Sequence, residues 1–572
     1  MLDAPVKGQP YRCGSAHVGC GPERAGGHRL RMKVSSALVN AGWIGAQGRS
    51  YVSFRSALRH PDRAQEAILL RYLRANAQTS FGRRHQFQAI RSVGEFQERV
   101  PLSTFDDYDE SIGQVRAGVP NVLTAEAVRC LQPSSGSTRA AKLIPYTATL
   151  QSEFGRAIGP WMFDLARSTP AILGGPAYWS VSPLRTREID DAAMPRPVST
   201  ATRTPVVGFE SDSAYLGGWL QRLVQRALID CEDLKYARDI TEFRRRTLLR
   251  LLAESELRVI SVWHPTFLTL LLDELTACWD EILAQLARGV PSAERLRSIA
   301  PNPRRADRLR SVDPKAQGEI WPHLATISCW GDGHAAGLLA DLKTRFPGVR
   351  IQPKGLIATE AIVSIPYEDK FPVAIRSHFF EFIDDRGIAR TVCELQQAST
   401  YSVVVTTAGG LYRYLLRDRI RVDNFIHATP SIRFVGKEDS VSDMCGEKLS
   451  EGLVADVLSR LLPVHAPAAR FALVAPDISS NVPRYVLYLE SQERVSRQLS
   501  EELEAELRLN PNYALCIRLG QLCPATVEAV APGSGERYLE RLRASGQRLG
   551  DIKPAALSSL TDWHSVFCFS RP

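Results

Sequence analysis

Three stretches of the sequence set phosphate-handling and cation-handling side chains at short spacing. The first is Ser134-Ser135-Gly136-Ser137-Thr138, with Lys142 four residues further on. Hydroxyls, exposed N–H groups and one glycine can surround a phosphate, and a lysine adds charge. The order is not that of the GxxxxGK[ST] phosphate loop, because the second glycine and the Gly-Lys-Ser/Thr run are missing. Taken alone, such a cluster reads first as a turn. The second stretch is Gln352–Glu360, QPKGLIATE. A short strand is expected to end at Gly355, which puts Thr359 and Glu360 on its carboxyl side. Mg²⁺ needs few carboxylates when phosphates fill the rest of its shell, and Glu360 suits that. An isolated glutamate there reads first as surface. The third is Thr406–Val422, TTAGGLYRYLLRDRIRV. Gly409-Gly410 turns the chain, and Tyr412, Arg413 and Asp418 follow. An acid after such a turn can accept ribose hydroxyls, as in other nucleotide folds, or simply balance Arg417 and Arg419. Two more stretches accompany these: RFVGKEDSVSDMCGEKLSE (433–451) and GQRLGDIKP (546–554). In the last, Lys553 lies between Gly550 and Pro554, on a tight loop.

The elements that must position these groups alternate. Helical spacing is read at Ala64–Ala77, at Leu150–Ala166, over the arginine-rich stretch Leu216–Leu257 and from Pro265 onward. Buried-strand runs are read near Val122–Leu131, Arg258–Trp263, Leu324–Trp330, Val349–Ile351, Ala374–Ile383 and Tyr401–Thr406. This order predicts a layered α/β body, with Arg185–Pro205 as a long surface loop. After Gly436 the texture changes. A helix is expected at Lys448–Leu462, strands at Phe471–Val474 and Tyr485–Leu489, a helix at Val495–Leu507, and strands near Leu515–Leu519 and Thr526–Val530. The chain is therefore divided into a large unit, 32–436, and a small α+β unit, 437–572. Residues 1–31 are rich in Gly, Pro and Arg without periodicity and are expected to be disordered. Met32, at the first amphipathic segment, is a candidate start.

Composition narrows the function classes. Apolar residues make up 44% and charged residues 23% of 572, which fits a globular enzyme. The net charge of +9 comes from arginines spread among acids. No basic run is interleaved with aromatics, so nucleic acid is not an expected partner. No stretch reaches the ~20 apolar residues of a membrane span. The eleven cysteines are scattered without zinc-ligand spacing. Reduced thiols and the lack of an apolar signal core lead to a cytoplasmic expectation.

Together and in this order, the five segments resemble the Gretchen Hagen family of acyl acid–amido synthetases, within the adenylate-forming superfamily. The runs QPKGLIATEA, SHFFEF (377–382), TTAGGLYRY and FVGKEDSVSDMCGEKLSE look most like bacterial members, and the resemblance runs from about Ala64 to the C-terminus. It implies a large multi-layer adenylate-forming N-terminal domain with a small mobile α+β C-terminal domain. It also implies a two-step reaction using ATP and Mg²⁺. A carboxylic acid becomes an acyl-adenylate with release of pyrophosphate, and an amine, commonly an amino acid, then takes the acyl group and releases AMP. Carried over by motif, Ser134, Ser135, Gly136, Ser137, Thr138 and Lys142 look like the loop over the phosphates. Thr359 falls near the α-phosphate and Glu360 near Mg²⁺. Tyr412 is similar to the aromatic beside the nucleotide, and Asp418 to the ribose-binding aspartate. Lys437 and Asp439 fall at the hinge, and Lys553 matches a mobile lysine that reaches the α-phosphate. Trp179, Trp263, His264 and Phe267 lie in segments that line the acyl pocket or pack the core, and their apolar character favours an aromatic or alkyl acid. Two departures stand out: Leu415 and Arg417 replace an arginine and a glycine beside Asp418, and Ala140-Ala141 stiffen the phosphate loop. Arg417 leaves room for an acid-binding homologue with weakened turnover, and a thiol acceptor such as coenzyme A is a separate alternative.

Overall fold

The computed structural model describes residues 34–133, 142–180, 205–207, 225–332, 338–438, 441–442, 444–445, 447–480, 482–491, 496–518, 520–544 and 555–568. In chain order the strands of the larger part are β1 (Cys130–Pro133), β2 (Leu143–Tyr146), β3 (Ala177–Trp179), β4 (Val206–Val207), β5 (Val259–Ser261), β6 (Thr326–Cys329), β7 (Arg350–Pro353), β8 (Phe379–Ile383), β9 (Ala389–Thr391), β10 (Thr400–Thr406), β11 (Tyr414–Ile426) and β12 (Thr429–Lys437). Those after it are β13 (Val441–Ser442), β14 (Leu449–Ser450), β15 (Phe471–Asp477), β16 (Arg484–Glu490) and β17 (Cys523–Ala529).

The short apolar runs become a four-stranded sheet in the order β3-β5-β6-β7, with every pair parallel. Strands buried on both faces need no alternation of apolar and polar residues, which is why VIS and TISC read as continuous runs. The longer runs build a five-stranded antiparallel sheet, β12-β11-β10-β8-β9. β1 and β2, before and after residues 134–141, pair with each other in a three-stranded sheet, β2-β1-β4. The chain after Lys437 forms its own sheet, β15-β16-β17, covered by the helices Glu451–His465 and Arg497–Leu507. Its buried clusters draw on residues from Leu449 to Phe567, whereas those of the larger part draw on residues from Trp43 to Ile432. No helix among the described residues is long and apolar enough to cross a membrane.

Buried charge ties the five-stranded sheet to the helices over it. Thr147 caps the helix Ala148–Ser168 by accepting from the Leu150 N–H. One turn in, that helix presents Glu153, which is fully buried. The Glu153 carboxylate accepts from Tyr72 Oη at 2.7 Å, from Arg156 at 3.1 Å, from Arg71 at 3.2 Å and from the Ala408 N–H at 3.3 Å. His378 Nδ1 lies 3.3 Å away. On the other side of the sheet, Arg413 donates to both oxygens of buried Glu381 at 3.1 Å and to the carbonyls of Val100 and Gln97 at 2.7 and 2.8 Å. Thus the SHFFEF and TTAGGLYRY runs fasten one turn to the scaffold from both faces.

Several expected elements differ. The strand read at Val122–Leu131 begins only at Cys130, because side chains claim the backbone before it. Asn76 Oδ1 accepts from the Ala125 N–H at 2.9 Å, and Thr124 Oγ1 donates to the Glu126 carbonyl at 2.7 Å. The strand read at Ala374–Ile383 starts at Phe379, after a turn in which Ser377 bonds back to Ala374. Leu515–Arg518, the described part of the strand read at Leu515–Leu519, belongs instead to the helix Pro511–Arg518. Asn510 Oδ1 accepts from the Asn512 and Tyr513 N–H groups, and Pro511 follows as the first helical residue. The stretch Leu216–Leu257 is not one helix among its described residues. A 3₁₀ turn at Glu232–Tyr236 precedes the helix Ile240–Ala253, which Asp239 caps. Residues 1–31 and the loop read at Arg185–Pro205 lie outside the described residues, save Pro205.

The departure at Arg417 has a backbone counterpart. Along β10 and β11, Ser402 pairs with Arg419 and Val404 with Leu415, so Leu416–Asp418 bulge opposite Val403. Arg417 takes φ +60°, the left-handed region that glycine occupies without strain. That conformation costs a side-chain-bearing residue about 1–2 kcal/mol, and glycine gives back roughly half of this through its looser unfolded chain. Arg417→Gly should therefore raise stability by about 0.5–1 kcal/mol, read as a higher thermal midpoint. An unchanged or lower midpoint would show that the arginine side chain offsets its backbone strain.

Candidate active site

Strands β5, β6 and β7 all end at one edge, and in open parallel sheets ligands lie beyond the carboxyl ends of the strands. Past β7 the chain makes a tight hairpin. The Ala358 N–H donates to the Ala361 carbonyl at 2.9 Å, and Ile357 bridges Ile362, so Thr359 and Glu360 form the tip. Gly355 permits this return, since a Cβ there would lie 2.2 Å from the Ser364 carbonyl oxygen. Buried Tyr146, at the end of β2, donates its hydroxyl to the Thr359 carbonyl and thereby fastens the tip to the strand that leaves the Lys142 segment.

Glu360 is buried. Burial pushes its carboxyl above the usual range, and Asp418 adds to this by like charge. Its own N–H, Lys437 and Lys142 act in the opposite direction. Lys142, Asp418 and Lys437 are thus each within electrostatic reach of Glu360. Asp418 and Lys437 are also direct register partners on β11 and β12, with Lys437 Nζ 3.7 Å from Asp418 Oδ1. Lys437 is half-exposed, so this pair adds little to stability. The bulge at Leu416–Asp418 aims Asp418, and its geometry is held across the strands, where the Glu438 N–H donates to the Arg417 carbonyl at 2.8 Å. Two lysines and two buried carboxylates, Glu360 and Asp418, together can neutralise phosphate charge, hold a hard cation and accept from sugar hydroxyls.

The other expected residues divide. Tyr412 is a correction. Its ring is fully buried, stacked 4.7 Å from Phe81 and edge-on to Phe87 at 5.0 Å, and its hydroxyl donates to the Leu123 carbonyl at 2.8 Å. Tyr412 therefore packs the core and has no face for a nucleotide. Gly410 beside it has φ +94°, and a Cβ there would lie 2.6 Å from Leu123 Cβ. The run GGLYR thus seats a turn instead of carrying a ligand-stacking aromatic. Phe267 packs against Phe243 at 6.2 Å in the core of the parallel-sheet layer, and Trp179 packs against the other core. Trp263 and His264 extend β5 past its carboxyl end, Trp263 partly exposed and His264 buried. Ser134, Ser135, Gly136, Ser137, Thr138, Asp439 and Lys553 lie outside the described residues.

Two residues at the same edge carried no role in the sequence reading. Lys354 is buried, donates to Ser261 Oγ at 2.9 Å and holds its Nζ 4.8 Å from the centre of the Trp263 ring. Asp332 is buried after β6, accepts from the Phe434 N–H and from Arg433 at 3.1 Å, and is pushed up to about 6 chiefly by burial. It joins the parallel sheet to β12. Both lie just past the carboxyl end of a parallel strand, Lys354 directly after β7 and Asp332 three residues after β6, a position that an open parallel sheet reserves for ligands.

A parallel α/β layer, an antiparallel sheet carrying an aspartate and a lysine, and a smaller unit following that lysine make up the fold. The solved structure of AtGH3.15 acyl acid amido synthetase in complex with 2,4-DB has this fold: it superposes with a TM-score of 0.77 over 91% of this chain and 95% of that one, at 18% identity. The chain belongs to the GH3 family. The models of the GH3 family N-terminal, central and C-terminal domains match residues 51–351, 371–437 and 453–561. Similar curated proteins include the probable indole-3-acetic acid-amido synthetase GH3.12 of Oryza sativa subsp. japonica, 23% identical over 87% of this chain and 92% of that one. Indole-3-acetic acid-amido synthetase GH3.4 of Arabidopsis thaliana is 22% identical over 88% and 90%. These relatives are named as enzymes, ligases of the amido synthetase kind.

Proposed function

We propose that the chain activates a carboxylic acid with ATP and passes the acyl group to an amine, most suitably an amino acid. The observation that carries this reading is the buried Glu360 carboxylate on its fastened hairpin, with Lys142, Asp418 and Lys437 within electrostatic reach and Lys437 3.7 Å from Asp418. In the first step a carboxylate oxygen attacks the α-phosphorus of ATP, a P–O bond to pyrophosphate breaks, and an acyl-adenylate forms. In the second, the amine nitrogen attacks the acyl carbon, the C–O bond to AMP breaks, and the amine proton leaves to solvent. The protein's part is to align oxygen and phosphorus and to neutralise developing charge. Lys142 and Lys437 suit the phosphates, Asp418 suits ribose, and Thr359 on the fastened hairpin lies near the α-phosphate. Glu360 fits Mg²⁺, because a single buried carboxylate flanked by lysines completes a shell that phosphates mostly fill. When bound, that ion supplies charge neutralisation on the leaving pyrophosphate.

The acid lies beyond β5, where Trp263 and His264 extend, and an aromatic or alkyl acid suits those neighbours. Relatives named for indole-3-acetic acid are consistent with that class. We place the boundary between the units at Lys437, with 32–436 as the adenylating domain and 437–572 as the mobile one. The unshared apolar clusters on either side support this. Free thiols among the described cysteines suit a cytoplasmic location.

Acid-dependent exchange of labelled pyrophosphate into ATP, across a panel of carboxylic acids with Mg²⁺, tests the first step. Exchange with no acid in the panel would overturn it. Amines and coenzyme A in competition with the best acid test the second, and a thioester as sole product would replace the amine by a thiol. Lys553, in the role of a lysine reaching the α-phosphate, gives a separate prediction. Lys553→Ala should lower exchange by ~100- to 1,000-fold, the range for removing one charge-stabilising group, with an unchanged thermal midpoint. An equal loss of activity and stability would remove Lys553 from the reaction.

A further inference from the structure

The segment after Lys437 contains a ligand cluster that the adenylation chemistry does not use. Cys445, Glu447 and Cys516 each offer one atom, and these atoms all lie within 4.8 Å of one another. They are distant in sequence: Cys445 and Glu447 lie on the short loop before β14, and Cys516 lies in the helix Pro511–Arg518. Cys445 Sγ stands 3.3 Å from Glu447 Oε2, and Cys516 Sγ stands 3.5 Å from the Cys445 carbonyl oxygen. Glu447 is fully buried and Cys516 nearly so, while Cys445 is half-exposed. The carboxylate is already held in place. Its Oε1 accepts from Tyr485 Oη at 2.5 Å and from the Met444 N–H at 2.7 Å, and its Oε2 accepts from the Cys445 N–H at 2.9 Å. Tyr485 Oη is in turn 2.8 Å from Ser442 Oγ. Outer partners of this kind orient a ligating carboxylate before a metal arrives.

We propose that Cys445, Cys516 and Glu447 form a zinc site that fastens the loop following Lys437 to the helix Pro511–Arg518. Two soft thiolates and one carboxylate are a zinc donor set and suit neither Mg²⁺ nor Ca²⁺. Zinc takes four ligands in a tetrahedron, and the half-exposed side at Cys445 gives the fourth position to water. On binding, both thiols lose their protons to solvent. The Cys445 S–H that Glu447 Oε2 accepts is replaced by the metal, while Tyr485 and the two backbone N–H groups keep their places. The effect is structural: the loop that leads out of the adenylating unit becomes anchored to the core of the small one.

Cobalt(II) added to the reduced, chelator-stripped full-length protein tests the site, because thiolate–cobalt bonds absorb in the near ultraviolet. One equivalent should produce this charge-transfer band and displace protons, and zinc should abolish the band and raise the unfolding midpoint of the small unit. Cys516→Ser should lose the band and the zinc-dependent shift while keeping the metal-free circular dichroism of the parent. If Cys516→Ser fails to fold, half-exposed Cys445→Ser supplies the same readout. Glu447→Gln should keep a weaker band at lower affinity. A parent protein with no band, or a band of equal strength in the Cys445→Ser/Cys516→Ser double variant, would overturn the site. So would a pair found oxidised to a disulfide by mass and still unable to bind cobalt after reduction.

Discussion

Glu360→Gln is expected to lower acid-dependent pyrophosphate exchange by ~100- to 1,000-fold while making the ligand-free protein more stable in neutral and alkaline solution. Both effects follow from one group. Burial raises the Glu360 carboxyl above its ordinary range, and Asp418 raises it further. The folded chain therefore keeps this proton to higher pH than the unfolded chain. Between the ordinary and the raised value the unfolded chain binds fewer protons, so stability falls as pH rises through that window. Below the ordinary carboxylate range both states are protonated and the penalty vanishes. Glutamine mimics the protonated acid at every pH. The variant should match the parent in acid and exceed it above the window, as two thermal midpoints measured at low and high pH will show. Its loss of exchange should not be relieved by raising the pH. The parent should lose exchange as pH falls through the raised value, because a cation-binding carboxylate must be ionised. A variant that is less stable at high pH, or that exchanges normally, would refute the assignment.

Arg413→Ala should destabilise the larger unit by about 3–5 kcal/mol, the cost of stranding one partner of a buried ion pair. Arg413 is nearly fully buried, and removal leaves the Glu381 carboxylate without its bidentate partner and the Val100 and Gln97 carbonyls without a donor. Arg413 also takes φ +48°, and its carbonyl accepts from the Ser103 N–H at 3.0 Å. It therefore fixes the turn from which β11 departs toward Asp418. The urea midpoint of the larger unit reports the loss. Adding Glu381→Gln to Arg413→Ala should recover part of it, since the stranded charge is then gone. Strict additivity of the two changes would mean that the pair contributes as two independent side chains.

The layered α/β body was legible because buried strands and amphipathic helices follow from short apolar runs and 3.6-residue spacing. LATISC and YSVVVT became β6 and β10 for that reason. The misses arose where side chains or caps outrank the pattern. Asn510 and Pro511 turned an apolar run into helix, and Asn76, 49 residues away from Ala125, took the backbone donor that a strand would have used. In the site, Glu360, Asp418 and Lys142 could be named because each follows a turn or strand end. Their proximity is a property of three separate sheets and was not written in any one segment. Tyr412 shows the converse. Its motif neighbours suggested a ligand contact, but only the packing of Phe81 and Phe87 around it reveals a core tyrosine. Lys354 was quoted within QPKGLIATE yet given no role, since burial of a lysine against Ser261 and Trp263 depends on strands almost a hundred residues apart.

The most direct measurement supplies the best acid from the exchange screen with heavy oxygen in both carboxylate positions, together with ATP and the amine, and weighs the products. Acyl-adenylate formation requires one carboxylate oxygen to bridge to phosphorus and to depart with AMP. Acyl-adenylate formation followed by aminolysis predicts AMP carrying one heavy oxygen, unlabelled pyrophosphate, and an amide retaining the other. Unlabelled AMP, or ADP with the label in inorganic phosphate, would contradict it.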